Sequence, residues 1–406
     1  MGTLKKSLLT ACLVSLLCLS GCSDMVEINE ISVVAGMALD KGEEAKYKLS
    51  LEFVNAVELG PKPTGAASPS IVYSMEGDEL SELVKKFNTF YTRRLILSHM
   101  QVIVISEELA EEGLEGVLDF LVREREIRDD FNIVIAKGSE AKEILSVNYV
   151  LQKSSSLKLN AQLATLQKEY GGDPAVRLQE FSDAVRSNGK EAIVEVVEIE
   201  GDPEKGKEVT NMQSMIPDAR VIVTGAGIFL GGNLVGHFSI SDVRNFSIIM
   251  NRIRGTNYSI PCSETGVLGI RVTQAETDIK ITYPEDRPVI AVETGIEAFL
   301  NSSTCDDDLS KISTYQNFEK KINEHIEKEI FQTIQKAQEV ESDVFGFGEK
   351  MFIQRHQQYK KIEDKWPKQF AKADIKVRVK TQLRRAGLEQ KTYKHSYKEK
   401  EANLEE

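Results

Sequence analysis

The sequence is poor in the residues from which most active sites and metal sites are built. It has five histidines, five cysteines and one tryptophan among 406 residues. No two histidines form an H-x-x-x-H pair, and no cysteine lies near a histidine at metal-ligand spacing. A G-x-S-x-G nucleophile elbow is also missing. We therefore predict no catalytic residues, no cofactor and no metal site. The histidines are His99, His237, His325, His356 and His395.

Positive charge is also in deficit. The chain has 51 lysines and arginines against 63 aspartates and glutamates, which gives a net charge of −12 at pH 7. A nucleic-acid-binding protein needs a basic face that neutralises phosphates, so this balance argues against a nucleic acid partner. It also indicates that general electrostatic attraction does not hold the protein at an anionic membrane.

Long apolar runs are missing after the N-terminal segment. The weakly polar run at residues 7–21 is shorter than the roughly 20 apolar residues of a membrane-spanning helix. It follows Lys5 and Lys6, an arrangement typical of a secretory signal. The run ends in Leu-Ser-Gly-Cys at residues 19–22, which resembles the bacterial lipobox.

Cys22 is the residue to which the lipobox assigns chemistry. Its thiol would accept a diacylglyceryl group, the peptidase would remove residues 1–21, and the new amino group would carry a further acyl chain such as palmitate. Two or more chains give stable anchoring, at about 0.8 kcal/mol per buried CH₂. The alternative is a plain signal peptide with a chance cysteine. N-myristoylation is excluded because Lys6 stands where that motif needs Ser or Thr.

The other cysteines form no disulfide framework. Cys12 and Cys18 would leave with the signal, so Cys262 and Cys305 would remain in the exported chain. An exported compartment permits a disulfide, but two cysteines far apart do not define a disulfide-rich fold. We expect two free thiols here, with a Cys262–Cys305 bridge as the alternative.

Apolar periodicity predicts alternating strands and helices in residues 22–200. β-Branched and alternating runs predict strands, and apolar residues at helical spacing predict helices between them. This region is predicted to form an N-terminal α/β unit. The alternative is that the unit consists of two subdomains. Predicted strands cover residues 31–39, 47–53, 100–105, 131–136 and 192–200.

Residues 201–219 are polar and rich in helix and strand breakers, and we predict a linker there. Residues 220–388 then form a predicted C-terminal α+β domain. It begins with a hairpin that turns at residues 231–233, and three alternating strands follow between residues 270 and 300. Residues 389–406 are a charged tail that we expect to be flexible.

A long helix is predicted after the aspartates at residues 306–308, which we place at its N-terminus. Its apolar residues recur every four positions. The alternation in residues 374–383 predicts a final antiparallel strand with one face toward water. Trp366 is interpreted as a core anchor, with an exposed partner contact as the alternative. The periodic residues of the helix are Phe318, Ile322, Ile326, Ile330 and Ile334.

Several blocks in succession resemble the spore germination lipoprotein family, the C subunits of nutrient germinant receptors (Ger(x)C or GerAC-like). After the lipobox comes "EINEISVVAGMALDK", and "RRLILSHMQVIVISEELAEEGLEGVLDFLVREREIR" lies in the middle. "GAGIFLGGNLVGHFSISDVRN" opens the second half, and "KWPKQFAKADIKVRVKTQLRRAG" lies near the end. One departure is that the family commonly has Trp-Asp just after the lipidated cysteine, where this chain has Ser23, Asp24 and Met25.

The resemblance implies an α+β (mixed α/β) multi-domain fold, with mixed and antiparallel sheets flanked by helices in a three-domain body. It implies a non-enzymatic protein on the outer face of the spore inner membrane, acting with integral membrane receptor subunits of the A and B types. Only Cys22 carries over as a residue with a defined role, and no germinant-binding residue does. Two alternatives remain open: a solute-binding lipoprotein of an uptake system and an anchored cell-envelope hydrolase.

Overall fold

Two β-sheets organise the protein. The computed structural model describes residues 30–55, 68–149, 151–152 and 154–384, together with Gly2, Glu27 and Glu58. Apart from Gly2, the predicted signal peptide lies outside these residues, as do Cys22 and the tail at 389–406. The strands are β1 (Ile31–Lys41), β2 (Tyr47–Val54), β3 (Ser70–Gly77), β4 (Arg94–Ile96), β5 (Val102–Ser106), β6 (Asn132–Ala136), β7 (Ile193–Gly201), β8 (Ala219–Leu230), β9 (Asn233–Ser239), β10 (Thr256–Pro261), β11 (Val267–Thr282), β12 (Val289–Ser303) and β13 (Asp374–Arg384).

Helices cover both faces of the first sheet and one face of the second. They are α1 (Leu80–Lys86), α2 (Glu107–Glu112), α3 (Glu115–Arg123), α4 (Ala141–Ser146), α5 (Ser155–Glu169), α6 (Leu178–Arg186), α7 (Pro203–Gly206), α8 (Val209–Gln213), α9 (Ile240–Ile249), α10 (Ile312–Glu339), α11 (Phe347–Gln354), α12 (His356–Tyr359) and α13 (Trp366–Ala371). The predicted α+β class with mixed sheets is confirmed.

The first sheet has nine strands, in the order β3-β2-β1-β5-β6-β7-β8-β9 with β4 beside β1. Its centre is parallel and its two margins are antiparallel hairpins. The central strands are buried on both faces because their apolar side chains alternate between two helical layers. Val102 and Val104 face one layer, and Ile103 and Ile105 face the other.

The predicted linker at 201–219 does not separate the two sheets. It contains the short helices α7 and α8, and the strands on either side of it, β7 and β8, pair in antiparallel fashion along nearly their whole length. The first sheet therefore includes β8 and β9, which sequence analysis placed in the C-terminal domain. The breaker-rich composition shows that the chain leaves the sheet between β7 and β8. It does not show which strands pair.

Helix α9 joins the first sheet to the second. It follows β9 directly, begins with a reciprocal capping box between Ser239 and Asp242, and is buried from Asp242 to its end. Its Arg244 stacks on the ring of Tyr258 in β10, with 3.6 Å from the guanidinium carbon to the ring centre, and donates to Glu329 Oε2 of α10 at 2.7 Å. The helix is therefore held by contacts with both the following strand and the long helix.

The second sheet has the order β10-β11-β12-β13. The three strands predicted between residues 270 and 300 are two long strands, because β11 continues through residue 278 with register shifts at two points. Sequence analysis also missed β10. The last strand, β13, was predicted to be antiparallel but pairs parallel with β12. Its alternating pattern and its water-exposed face are as predicted, and lysines and arginines line that face.

Helix α10 packs along β13. The five apolar residues predicted for its buried face are all fully buried. Side chains one helical turn apart accept hydrogen bonds from alternate backbone N–H groups of the strand. Glu327 accepts from Val379, Asn323 from Thr381 and Glu319 from Leu383, at 2.8–2.9 Å. Four residues of helix rise about 6 Å and two residues of strand about 6.6 Å, so the two repeats match.

The aspartates at 306–308 lie before α10 rather than at its first turn. The helix begins at Ile312 with Lys311 at the N-cap, and Asp308 instead accepts hydrogen bonds from the backbone and hydroxyl of Ser310. Asp308 also forms an ion pair with Lys311. Asp308 therefore orders the connection into the helix, and the prediction that these aspartates stand at its N-terminus was wrong.

Cys262 and Cys305 form a disulfide, so the expectation of two free thiols was wrong. Their Cα atoms lie 6.2 Å apart, and the bridge joins the end of β10 to the segment after β12. These two chain segments flank β11, and the register of the sheet brings them together. Spacing along the chain gave no indication of this proximity.

Reduction of this disulfide is expected to lower the free energy of unfolding by about 2–4 kcal/mol, since the bridge closes a long loop in the unfolded chain. Urea unfolding with and without reductant measures the change. The double variant Cys262→Ser/Cys305→Ser is the control and should be insensitive to reductant. An intact mass that does not rise by two hydrogens on reduction would contradict the bridge.

Candidate functional site

The predicted lipidation site, Cys22, lies outside the described residues, and the first described strand begins nine residues later at Ile31. Within the described ranges, no helix is long and apolar enough to cross a membrane. The same ranges hold no group of three or more His, Cys, Asp or Glu side chains placed to bind a metal ion. The titratable residues of the folded body must therefore be judged one by one.

Asp40 at the end of β1 is a buried helix cap. It accepts hydrogen bonds from the backbone N–H groups of Ala141 at 2.6 Å and Lys142 at 3.1 Å, at the start of α4. Burial raises the pKa of Asp40 to about 6, and the two hydrogen bonds oppose that shift. The carboxylate neutralises the positive end of the helix and is enclosed by the fold, so its role is structural.

Glu52 caps α5 in the same way. This fully buried carboxylate on β2 accepts from the backbone N–H groups of Ser155 at 3.0 Å and Ser156 at 3.1 Å, and from the hydroxyl of Ser154 at 2.9 Å. Sequence analysis missed this cluster. The only available signal was a glutamate in the otherwise apolar strand LSLEFV, about a hundred residues before a run of three serines.

Glu195 on β7 is a further buried carboxyl group. Its pKa is raised well above the usual range, first by burial and then by the neighbouring Asp173. Both side chains are buried, as is Asn132, which accepts a hydrogen bond from Arg177. Paired carboxyl groups can act as acid and base in catalysis. Here both side chains are closed off from solvent, so no substrate reaches them.

Asp343 lies in the loop before α11 and links Trp366 to the first turn of that helix. Its Oδ2 accepts from the indole Nε1 of Trp366 and from the backbone of Gly348, both at 2.8 Å. Trp366 is 1% exposed, so the interpretation as a core anchor is confirmed. Burial raises the pKa of Asp343 to about 6 against the lowering effect of these hydrogen bonds. Within the described part of the chain, its Oδ1 has no hydrogen-bond partner.

The raised pKa of Asp343 predicts a pH-dependent stability. The folded protein binds this proton more tightly than the unfolded chain, whose aspartates titrate near 3.9. The contribution of Asp343 to the free energy of unfolding should therefore fall as the pH rises from about 4 to about 6. Asp343→Asn should remove this contribution, on the order of 2–3 kcal/mol, and leave those of the other carboxyl groups whose pKa is raised by burial, Asp40, Glu191 and Glu195. Urea unfolding at several pH values measures the slope.

The exposed carboxyl of Asp278 on β11 provides a matched control, since its side chain is 67% exposed. Asp278→Asn should keep the slope of the unsubstituted protein. Equal slopes for Asp343→Asn and the unsubstituted protein would show that Asp343 does not titrate in this range.

An apolar groove of about 650 Å³ runs along α5, within the size range of small-molecule sites. Lys158 lies in it with its Nζ 4.5 Å from the ring centre of Tyr149 and donates to Val221 O at 2.9 Å. Burial, followed by repulsion from Arg220, lowers the pKa of Lys158 to about 8. Because the amine is bonded to β8, it secures the helix to the sheet. The groove can accept an apolar group, and it brings no acid–base pair together.

The histidines lie on separate elements. His237 on β9 faces Glu107 Oε1 at 3.1 Å, and burial lowers the pKa of this imidazole. His325 on α10 lies 3.2 Å from Glu329 Oε1. His99, the histidine nearest to a buried strand, is exposed. Among the described residues, the structure therefore brings no two of the histidines into a common site.

Comparison with known proteins places this two-sheet body in a defined class. Residues 24–199 match a family model described as "Spore germination protein N-terminal domain". Residues 224–387 match "Spore germination B3/ GerAC like, C-terminal". The chain belongs to the GerAC-like family of spore germination proteins, which confirms the resemblance identified in its sequence.

Individual relatives are similar in sequence to this chain over nearly their whole length. The chain is 28% identical to "Spore germination protein KC" of Bacillus subtilis (strain 168), over 95% of this chain and 97% of that protein. It is 24% identical to "Spore germination protein B3" of the same organism, over 90% and 93% of the two chains. A solved structure, "Crystal Structure of the GerBC protein", shares the fold with a TM-score of 0.53 at 19% identity, over 86% of this chain and 96% of that chain.

Proposed function

We propose that this protein is the lipid-anchored, non-catalytic C subunit of a spore nutrient germinant receptor, lying on the outer face of the spore inner membrane. The observation that carries the proposal is the family match over both halves of the chain, together with a lipobox cysteine at position 22. The folded body docks on integral membrane subunits of the A and B types and supports their germination signal.

The proposed mechanism is confinement followed by docking. Acyl chains at Cys22 restrict the protein to the membrane surface, which raises its effective concentration beside the integral subunits. A docking interaction that is weak in solution can then be occupied most of the time. The scattered, internally bonded carboxylates support a body that acts through contacts rather than through bond making.

The solute-binding alternative receives less support. Solute-binding proteins of that kind close two lobes about a hinge around the ligand. In this chain β7 pairs with β8 across the predicted linker. Helix α9 is hydrogen-bonded to both halves, since Ser247 donates to the backbone oxygen of Gly171 in the first half and Arg244 donates to Glu329 in the second. These contacts oppose a hinge motion between the halves and favour a docking subunit.

Cross-linking in spore membranes tests the proposal. Cross-links from lysines of the mature chain should map to integral membrane subunits, and the protein should co-purify with them after detergent extraction. A tightly bound small molecule in the purified protein, with no cross-links to membrane proteins, would favour the solute-binding alternative instead.

A further inference from the structure

A cluster of aromatic and aliphatic side chains is exposed at one edge of the first sheet. We call Ile71, Tyr73, Phe90 and Tyr91 the aromatic patch. Ile71, Tyr73 and Phe90 are 42%, 38% and 47% exposed, and Tyr91 is half-buried. The ring of Tyr73 lies 5.4 Å from that of Phe90 and 6.0 Å from that of Tyr91, so the patch is continuous.

The aromatic patch rests on a rigid base. The ring of Tyr91 stacks on Phe53 at 4.4 Å, and Phe90 lies 5.6 Å from Phe87. Both supporting rings are almost fully buried. Exposed rings held in place by a packed core remain exposed at an energetic cost, and a contiguous group of this kind marks an interaction surface.

Cations flank Phe90 and Tyr91 of the aromatic patch along the chain, although the protein as a whole is acidic. Residues 85–94 contain four lysines and arginines and no carboxylate, in a chain of net charge −12. All four are exposed: Lys85, Lys86, Arg93 and Arg94. Lys86 pairs with Glu82 and Arg94 with Glu126, and all four of these side chains retain solvent contact. Amphipathic rings beside exposed cations suit an anionic lipid surface.

The aromatic patch also lies where the chain leaves toward its proposed anchor. The hydroxyl of Tyr91 is 3.1 Å from Ser32 Oγ, at the start of β1. Nine residues separate Cys22 from Ile31, and a fully extended chain of that length spans about 30 Å. Acyl chains at Cys22 therefore keep this edge of the sheet within that distance of the bilayer.

We infer that the aromatic patch lies in the interfacial layer of the membrane, with the neighbouring lysines and arginines against anionic headgroups. The inference rests on the proposed acylation of Cys22. The lipid confines the protein to the surface, and the patch gives the body one orientation there. This orientation determines which face the soluble body presents to integral membrane partners.

A tryptophan placed in the aromatic patch reports its contact with lipid. The full acylated chain carrying Phe90→Trp is reconstituted in vesicles of phosphatidylglycerol and phosphatidylethanolamine with brominated acyl chains, which quench nearby indoles. Phe352→Trp is the matched control, because Phe352 is 41% exposed and lies on α11 in the other half of the protein. The native Trp366 is buried, so its signal can be subtracted using the unsubstituted protein.

The inference predicts several-fold stronger quenching for Phe90→Trp than for Phe352→Trp, with a blue-shifted emission for the former. Equal quenching of the two variants would overturn it, as would no quenching in a protein that floats with the vesicles; in both cases the anchor itself would stand. A chain that fails to float would overturn the anchor and this inference together. A blue shift in spore membranes but not in vesicles would assign the patch to a protein partner and overturn the lipid contact.

Discussion

Replacing Cys22 with alanine is expected to release the protein from the membrane and to abolish its contribution to germination. The variant lacks the thiol that the lipobox presents for acylation, and no described helix is able to span the bilayer in its place. Two acyl chains contribute about 0.8 kcal/mol per buried CH₂, so their loss removes essentially all stable anchoring. Fractionation of spore membranes, with germination followed by loss of optical density, measures both effects.

The signal segment supplies a matched control. Cys18 lies in the same apolar run, four residues before the lipobox cysteine, and is predicted to leave with the signal. Cys18→Ala should leave membrane retention and germination unchanged. A Cys22→Ala chain that stays in the membrane fraction and supports normal germination would refute the proposed anchor.

Replacing Trp366 with alanine should cost about 3–5 kcal/mol of unfolding free energy, which is the largest single-residue loss we expect in the folded body. The indole is almost fully buried and lies 5.6 Å from the ring of Tyr359. Its removal leaves a cavity and takes one hydrogen bond from the buried carboxyl group of Asp343. Urea unfolding followed by circular dichroism measures the loss.

Two further variants separate the contributions in this prediction. Trp366→Phe keeps much of the packing but loses the indole N–H, so its loss should be intermediate. Phe352→Ala removes a large aromatic ring that is 41% exposed, and should cost much less than Trp366→Ala. If Trp366→Ala were no less stable than Phe352→Ala, the anchoring role of Trp366 would be refuted.

Local patterns predicted the elements of this fold better than their pairing. The four-residue repeat of α10 and the alternation of β13 are visible in the sequence because each is determined by the element's own buried face. The parallel direction of β13 depends on β12, some seventy residues earlier, and on the crossover between them. Alternation is the same in either direction. The antiparallel prediction came from the water-exposed face of the strand, which is typical of antiparallel sheets, and it was wrong.

The family division of the chain also differs from the division of the sheets. The first family model ends at residue 199 and the second begins at residue 224. The breaker-rich segment that sequence analysis chose as a boundary lies between them. The structure nevertheless pairs β7 with β8 across that segment. A hairpin excursion and a domain linker have the same composition, so only the strand register distinguishes them.

Groups of residues could be predicted from the sequence only where their members are close together along the chain. Cys22 could be proposed as a lipidation site because the residues that resemble a lipobox are contiguous in the sequence. The disulfide, the Glu52 cap and the aromatic patch each unite residues far apart in sequence, such as Tyr73 and Phe90 or Cys262 and Cys305. Their sequence signals are single unremarkable side chains, and only the folded sheets reveal them as groups.

The hydrogen bonds that Glu319, Asn323 and Glu327 accept from β13 affect whether neighbouring molecules can pair through this strand. A sheet margin with free amide groups recruits strands from neighbouring molecules, and confinement to a bilayer would favour such growth into fibrils. Here the long helix already occupies three of those donors at matched spacing. This margin of the second sheet is thereby closed to pairing with a strand of a neighbouring molecule.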